Sequence, residues 1–121
     1  MGEMLWKKGP VSYTGGDQRT HDLRHLPVAR WPFSRVAGLM GRRKRLFLVI
    51  PRCASVHTWF MRAEIDIVFL SATGVALGIV ETAARWRSYR GPAHTRTVVE
   101  LPSGYVRQLG LERGDLVSTR R

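Results

Sequence analysis

Cysteine is almost missing from this chain. Cys53 is the only one in 121 residues, so no disulfide can close within the chain, and a reducing compartment, the cytoplasm, is the expected setting. Acidic residues are scarce as well. Nine Asp and Glu stand against 20 Lys and Arg, for a formal net charge of +11. Lysine contributes only Lys7, Lys8 and Lys44, so the cationic character is that of arginine. Such a balance attracts polyanions without specifying which, and it also suits a solvated basic face with no partner. No segment approaches the roughly 20 apolar residues that would span a bilayer. The stretch after Lys7 and Lys8 is polar and lacks an apolar core, so no cleaved secretion signal is expected.

Several chemistries lack their signatures. Gly38-Leu39-Met40-Gly41 is neither a phosphate loop nor a dinucleotide fingerprint. No serine sits in a nucleophile elbow. Cys53, His57, Asp66 and His94 are the available metal ligands, and none of their spacings is a zinc signature. No metal and no cofactor is expected.

The chain length fits one domain with one modest core. Residues 1–22 carry glycines and scattered charges without periodicity and read as a flexible basic arm, leaving 23–121 as the domain. Leu23–Ala29 reads as a short extended segment broken at Pro27. Ser34 is placed to cap a helix over Arg35–Met40, stopped by Gly41. Leu46–Ile50 and Ile65–Leu70 are apolar runs of strand length. Ser71–Gly74 makes a hairpin loop with Gly74 free to take positive φ, and Val75, Leu77 and Ile79 alternate on the return strand. Over Ala54–Met61 both faces carry large side chains, and the pattern is ambiguous. Residues 82–96 are basic and polar. Thr97–Leu101 is a β-branched strand, Tyr105–Leu109 a helical turn closed by Gly110, and a final short strand follows Gly114-Asp115. The expected fold is mainly β: one small sandwich or barrel-like domain with two short helices.

The densest chemistry lies in Cys53–Asp66. Asp66 interrupts an aliphatic run, and a buried carboxylate must find a partner or face a wet pocket. Four residues separate Arg62 from Asp66, and Cys53 from His57. Two readings stand side by side. In one, Arg62 pairs with Asp66 as a structural bridge. In the other, His57, Arg62 and Asp66, framed by Trp59 and Met61 with Cys53 nearby, line a polar pocket for a small anionic ligand or a protein partner. A Cys53–His57–Asp66 nucleophilic constellation is a remote third reading.

A second candidate surface is cationic. Arg42, Arg43, Lys44 and Arg45 form one basic run. Arg85, Arg87 and Arg90 alternate with Trp86 and Tyr89 in another. Aromatic side chains among arginines have the chemistry to stack on unpaired bases. No helix-turn-helix, zinc-finger, RNP-type or KH-type motif accompanies them, so weak, salt-sensitive nucleic-acid binding is expected rather than specific recognition.

Five landmarks in order resemble the family catalogued as domain of unknown function 192. They are Arg35–Arg42 (RVAGLMGR), Cys53–Arg62 (CASVHTWFMR), Ile65–Leu70 with Gly74, Val99–Gly104 (VELPSG), and Gly110-Leu111 to Gly114-Asp115. The resemblance spans roughly residues 28–118 and implies a small, mainly-β, sandwich-like domain with no established catalytic activity. It also implies, by analogy, a link to pilus or secretion components. This chain departs from the pattern at Glu64 (usually Pro), at Ser71 (usually Asp), and near Pro92, where relatives often carry a second Cys. That last departure argues against a paired-thiol or cysteine-metal role. The chain is therefore expected to be a non-enzymatic binding or accessory domain, with a nucleic-acid-associated basic protein as the alternative. Its oligomeric state is left open.

Overall fold

The structure, a computed structural model, describes residues 18–26, 47–58 and 63–119. The expected helix over Arg35–Met40, the basic run Arg42–Arg45, and Trp59, Met61 and Arg62 lie outside the described residues.

Four strands form the central sheet: β2 (Leu48–Pro51), β4 (Ile65–Leu70), β5 (Ala76–Ala83) and β7 (Thr97–Pro102), in the order β2-β7-β4-β5 with every pair antiparallel. β4 lies inside the sheet and is buried along its whole length, which is why its residues are apolar on both sides apart from Asp66 rather than alternating. The Ser71–Gly74 turn joins it to β5. Gly74 sits at φ 90°, where an added Cβ would lie 2.7 Å from the Val117 carbonyl oxygen, so glycine is required there.

Each face of the sheet has its own cover. On one face, Leu48, Ile50, Ile65, Ile67, Phe69, Val80 and Val98 pack with Tyr89, and Cys53 and Val56 pack against that cluster. Tyr89 and Val56 belong to a separate two-stranded ribbon, β3 (Ser55–His57) with β6 (Ser88–Arg90). On the other face, Val49, Val68, Leu70, Val99 and Leu101 pack with Leu23, Leu26, Val106, Leu111 and Val117. These come from the segment after β1 (Thr20–Asp22), from the short helix α1 (Tyr105–Leu109), and from the stretch that leads into and includes β8 (Leu116–Ser118).

Two sequence expectations are corrected here. Residues 18–22, assigned to the flexible arm, are structured: β1 pairs in parallel with β8, from Thr20–Leu116 to Asp22–Ser118. The His21 Nε2 lies 2.9 Å from Asp115 Oδ2, and Asp115 also accepts the amides of Arg19 and Glu112. Burial alone would push the Asp115 carboxyl up, but the Glu112 amide, His21 and the Arg19 amide together hold it below its usual range. The expected extended segment at Leu23–Ala29 is a turn over its described part, Leu23–Leu26, closed by the Leu26 amide on the Leu23 carbonyl, while Pro27–Ala29 lie outside the described residues. The mainly-β class stands, and of the two expected helices α1 is present.

Candidate functional site

Asp66 does not face His57. Along β4, Ile65, Ile67 and Phe69 point toward the ribbon, while Val68 and Leu70 point to the opposite face. Side chains alternate along a strand, so Asp66 points away from the ribbon. His57 lies in the ribbon itself, opposite Ser88. The central sheet therefore separates the imidazole from the carboxylate, and the expected His57–Asp66 pocket is not assembled.

The Asp66 carboxylate is committed to backbone. Its Oδ1 accepts the Thr82 amide at 2.7 Å, and its Oδ2 accepts those of Gly104 at 3.1 Å and Val106 at 2.9 Å. Thr82 occupies a register shift of β5, where Ile65 pairs with Ala83 but Ile67 pairs with Val80, and it has φ 51°. A β-branched residue rarely takes that conformation. The helix α1 begins after Gly104 with no side-chain cap of its own. Asp66 thus holds a strained bulge and the first turn of a helix together, and satisfies the amide of buried Val106, which opens that turn.

Cys53 is half-buried against the ribbon-side core, and its thiol donates to the Ser55 carbonyl at 2.9 Å. Burial pushes this thiol up from its ordinary value, with the Glu100 charge adding to the effect. A nucleophilic cysteine needs the opposite shift.

Glu100 is the residue that sequence reasoning missed. It pairs with Leu48 on one side and Ile67 on the other, so it points into the ribbon-side core. The residue is 1% exposed, and its Oε1 is buried with no hydrogen-bond partner among the described residues. Burial raises its carboxyl to about 7. Its signal was available, since an acid between Val99 and Leu101 is as anomalous as Asp66 between Ile65 and Ile67.

The basic stretch after β5 divides into two kinds of residue. Tyr89, expected as a stacking aromatic, is instead core: it is 1% exposed, and its hydroxyl accepts the Ala84 amide at 2.8 Å. It cannot meet a base. Val56 and Tyr89 form the ribbon's inner pair, leaving Ser55, His57, Ser88 and Arg90 on its outer face. At the ribbon's end, residues 84–87 turn out into solvent. Thr58 staples this loop on several atoms. Its amide donates to the Arg87 carbonyl at 2.7 Å, and its carbonyl accepts the Trp86 amide at 3.0 Å. Its hydroxyl donates to the Ala84 carbonyl at 2.7 Å and accepts the Arg87 amide at 3.0 Å. Trp86 is held at φ 64° and is 59% exposed, between exposed Arg85 and Arg87. Segments 52–58 and 84–96 together carry five arginines and no acidic residue.

No group of three or more His, Cys, Asp or Glu side chains suited to a metal ion occurs among the described residues. No helix among them is long and apolar enough to cross a membrane.

Comparison with known proteins agrees with this architecture. A UPF0127 protein of Thermococcus gammatolerans is 35% identical over 101 residues, covering 78% of this chain but 65% of the relative. The chain therefore spans about two thirds of that protein's length. A UPF0127 protein of Pyrococcus furiosus is 34% identical over 93 residues, covering 72% of this chain and 79% of the relative. Among solved structures, a Novosphingobium aromaticivorans protein of unknown function shares the fold at TM-score 0.60 and 18% identity, covering 80% of this chain and 71% of that one. A Sinorhizobium meliloti protein described as a candidate transcription regulator matches at TM-score 0.58 and 26% identity, covering 74% of each chain. The family model for DUF192, described as an uncharacterised ACR, matches residues 14–119. With nearly the whole described chain inside that match, the protein belongs to the DUF192 family.

Proposed function

We propose that this domain is a non-catalytic binding module that takes an anionic partner on its basic ribbon. The observation that carries the reading is the loop 84–87, where Thr58 fixes the backbone and Trp86 stands exposed between Arg85 and Arg87. Backbone strain at an exposed aromatic side chain is a device worth retaining only if that side chain meets something. The arginine-only charge of the ribbon supplies attraction, and the indole supplies contact area.

Two further observations support a non-catalytic role. The Asp66 carboxylate is occupied by three amides, and the half-buried Cys53 thiol is shifted upward and donates to a carbonyl. Neither is poised for acid–base or nucleophilic work. The pilus or secretion link implied by the family resemblance is left aside, since no residue of the ribbon carries it. The Sinorhizobium meliloti protein's description as a candidate transcription regulator is in keeping with an anionic partner.

The test is binding to heparin across a salt series, with Arg85→Gln, Arg87→Gln and Arg90→Gln combined. Retention that weakens with salt and falls sharply in the triple variant supports the reading. Retention unchanged in the triple variant removes the ribbon as the site. An electrophilic thiol probe is expected to label native Cys53 slowly at neutral pH, and fast labelling would reopen catalysis.

A further inference from the structure

We propose that Trp86 is a stacking platform for an unpaired base, so that the ribbon's partner is a single-stranded nucleic acid. This rests on the reading of the ribbon as an anion-binding surface and names the partner it takes.

The geometry favours this partner over other polyanions. Arg85 and Arg87 suffice to attract phosphate, sulfate or carboxylate, and an indole adds nothing to that attraction. An indole face does add affinity where the partner carries flat π surfaces next to its charges, as a nucleic acid does. In a duplex those surfaces are stacked on one another, and only the edges are open in the grooves. A base free to stack on Trp86 is therefore an unpaired one. The stapled loop matters here. With the loop backbone fixed by Thr58 and by the Trp86 amide itself, little backbone entropy is lost on binding. Beyond the loop, Ser88 and Arg90 continue along the ribbon's outer face, where hydroxyl and guanidinium groups can follow a phosphate backbone.

An anionic membrane is the less favoured partner. Trp86 is the one large hydrophobic side chain exposed among the described residues. Interfacial binding scales with buried apolar area, and one indole supplies little of it.

The experiment uses the full chain and measures anisotropy with a labelled oligothymidylate and with a duplex of the same length. Heparin and vesicles of anionic phospholipid are run beside them, for wild type, Trp86→Ala and Trp86→Phe. Circular dichroism and the thermal midpoint verify that each variant is folded. The expected result is that Trp86→Ala weakens oligothymidylate binding about tenfold, that Trp86→Phe retains most of it, and that duplex and heparin affinities stay within about twofold. Equal weakening for all polyanions, or no weakening for oligothymidylate, overturns the stacking inference while leaving the anion-binding ribbon in place. Loss of vesicle binding in Trp86→Ala with unchanged oligothymidylate binding also overturns it, in favour of a membrane. Wild-type protein that binds no polyanion at low salt overturns the inference and the underlying reading together.

Discussion

The Asp66 carboxylate accepts the Val106 amide at 2.9 Å across forty residues of sequence. It is a helix cap delivered from a strand rather than from the helix's own N-terminus. With the Thr82 and Gly104 amides on the same group, removing the carboxylate would leave three donors to satisfy. Asp66→Ala is expected to destabilise the domain by about 4 kcal/mol, and Asp66→Asn by about 2 kcal/mol, because hydrogen bonds to a charged acceptor contribute roughly 1.5–3 kcal/mol each. Urea unfolding measures this. Both variants, where folded, should keep heparin retention, since the sheet stands between Asp66 and the ribbon.

Glu100 makes stability depend on pH in the reverse of the usual carboxylate sense. Its folded value of about 7 lies above the ordinary 4.5, so the folded protein holds this proton where the unfolded chain has lost it. The Glu100 contribution to stability is full below about pH 4.5, falls as pH rises, and has been lost by the time pH passes about 7, a change of about 3 kcal/mol. Glu100→Gln should abolish that decline and be the more stable protein at pH 8. Unfolding curves for both proteins between pH 4 and 8 test it, and parallel profiles would contradict the buried, unpartnered placement.

Thr58→Val removes the hydroxyl from a buried site with little change of shape. The Ala84 carbonyl and Arg87 amide each lose a partner, and the expected loss is about 2 kcal/mol. Amide exchange should speed up at Trp86 and Arg87 ahead of the central sheet. Anion affinity should weaken through faster dissociation, because the loop would have to be ordered at each encounter.

Trp86→Gly is expected to separate stability from binding. The left-handed conformation at Trp86 disfavours an L side chain by about 1–2 kcal/mol, part of which glycine's greater chain entropy offsets. The variant should melt no lower than wild type, and its oligothymidylate affinity should fall while heparin retention holds. A clear drop in melting temperature would mean that the indole contributes to packing and is not held out for a partner.

The strands that were legible in the sequence were the ones with two buried faces or clear punctuation. Apart from Asp66 and Glu100, Ile65–Leu70 and Val98–Leu101 are apolar on both sides because both faces of the central sheet are covered. Ser71–Gly74 and Gly110 mark their turns through conformations that glycine takes easily. β6 was hidden because it is three residues long and only Tyr89 points inward, so its flanks read as a basic loop. Asp66 was conspicuous, but its partners were not. They are backbone amides 16 to 40 positions away, and amides carry no signature in sequence. Proximity along the chain suggested His57 instead, and the period-two alternation that places the two on opposite sides of the sheet became usable only once the ribbon was known to be a separate layer. Glu100 stands between Val99 and Leu101, and its burial follows from its pairing with Leu48 and Ile67 on the neighbouring strands, which its own position in the chain does not indicate.

The β3–β6 ribbon forms its own two-stranded ladder and shares none with the central sheet. Its inner pair, Val56 and Tyr89, is all that the ribbon strands must preserve to stay seated on the core. The exposed strand positions Ser55, Ser88 and Arg90 lie outside that contact. A domain arranged this way can exchange one partner for another by rewriting a few solvent-facing letters, without renegotiating the scaffold beneath them.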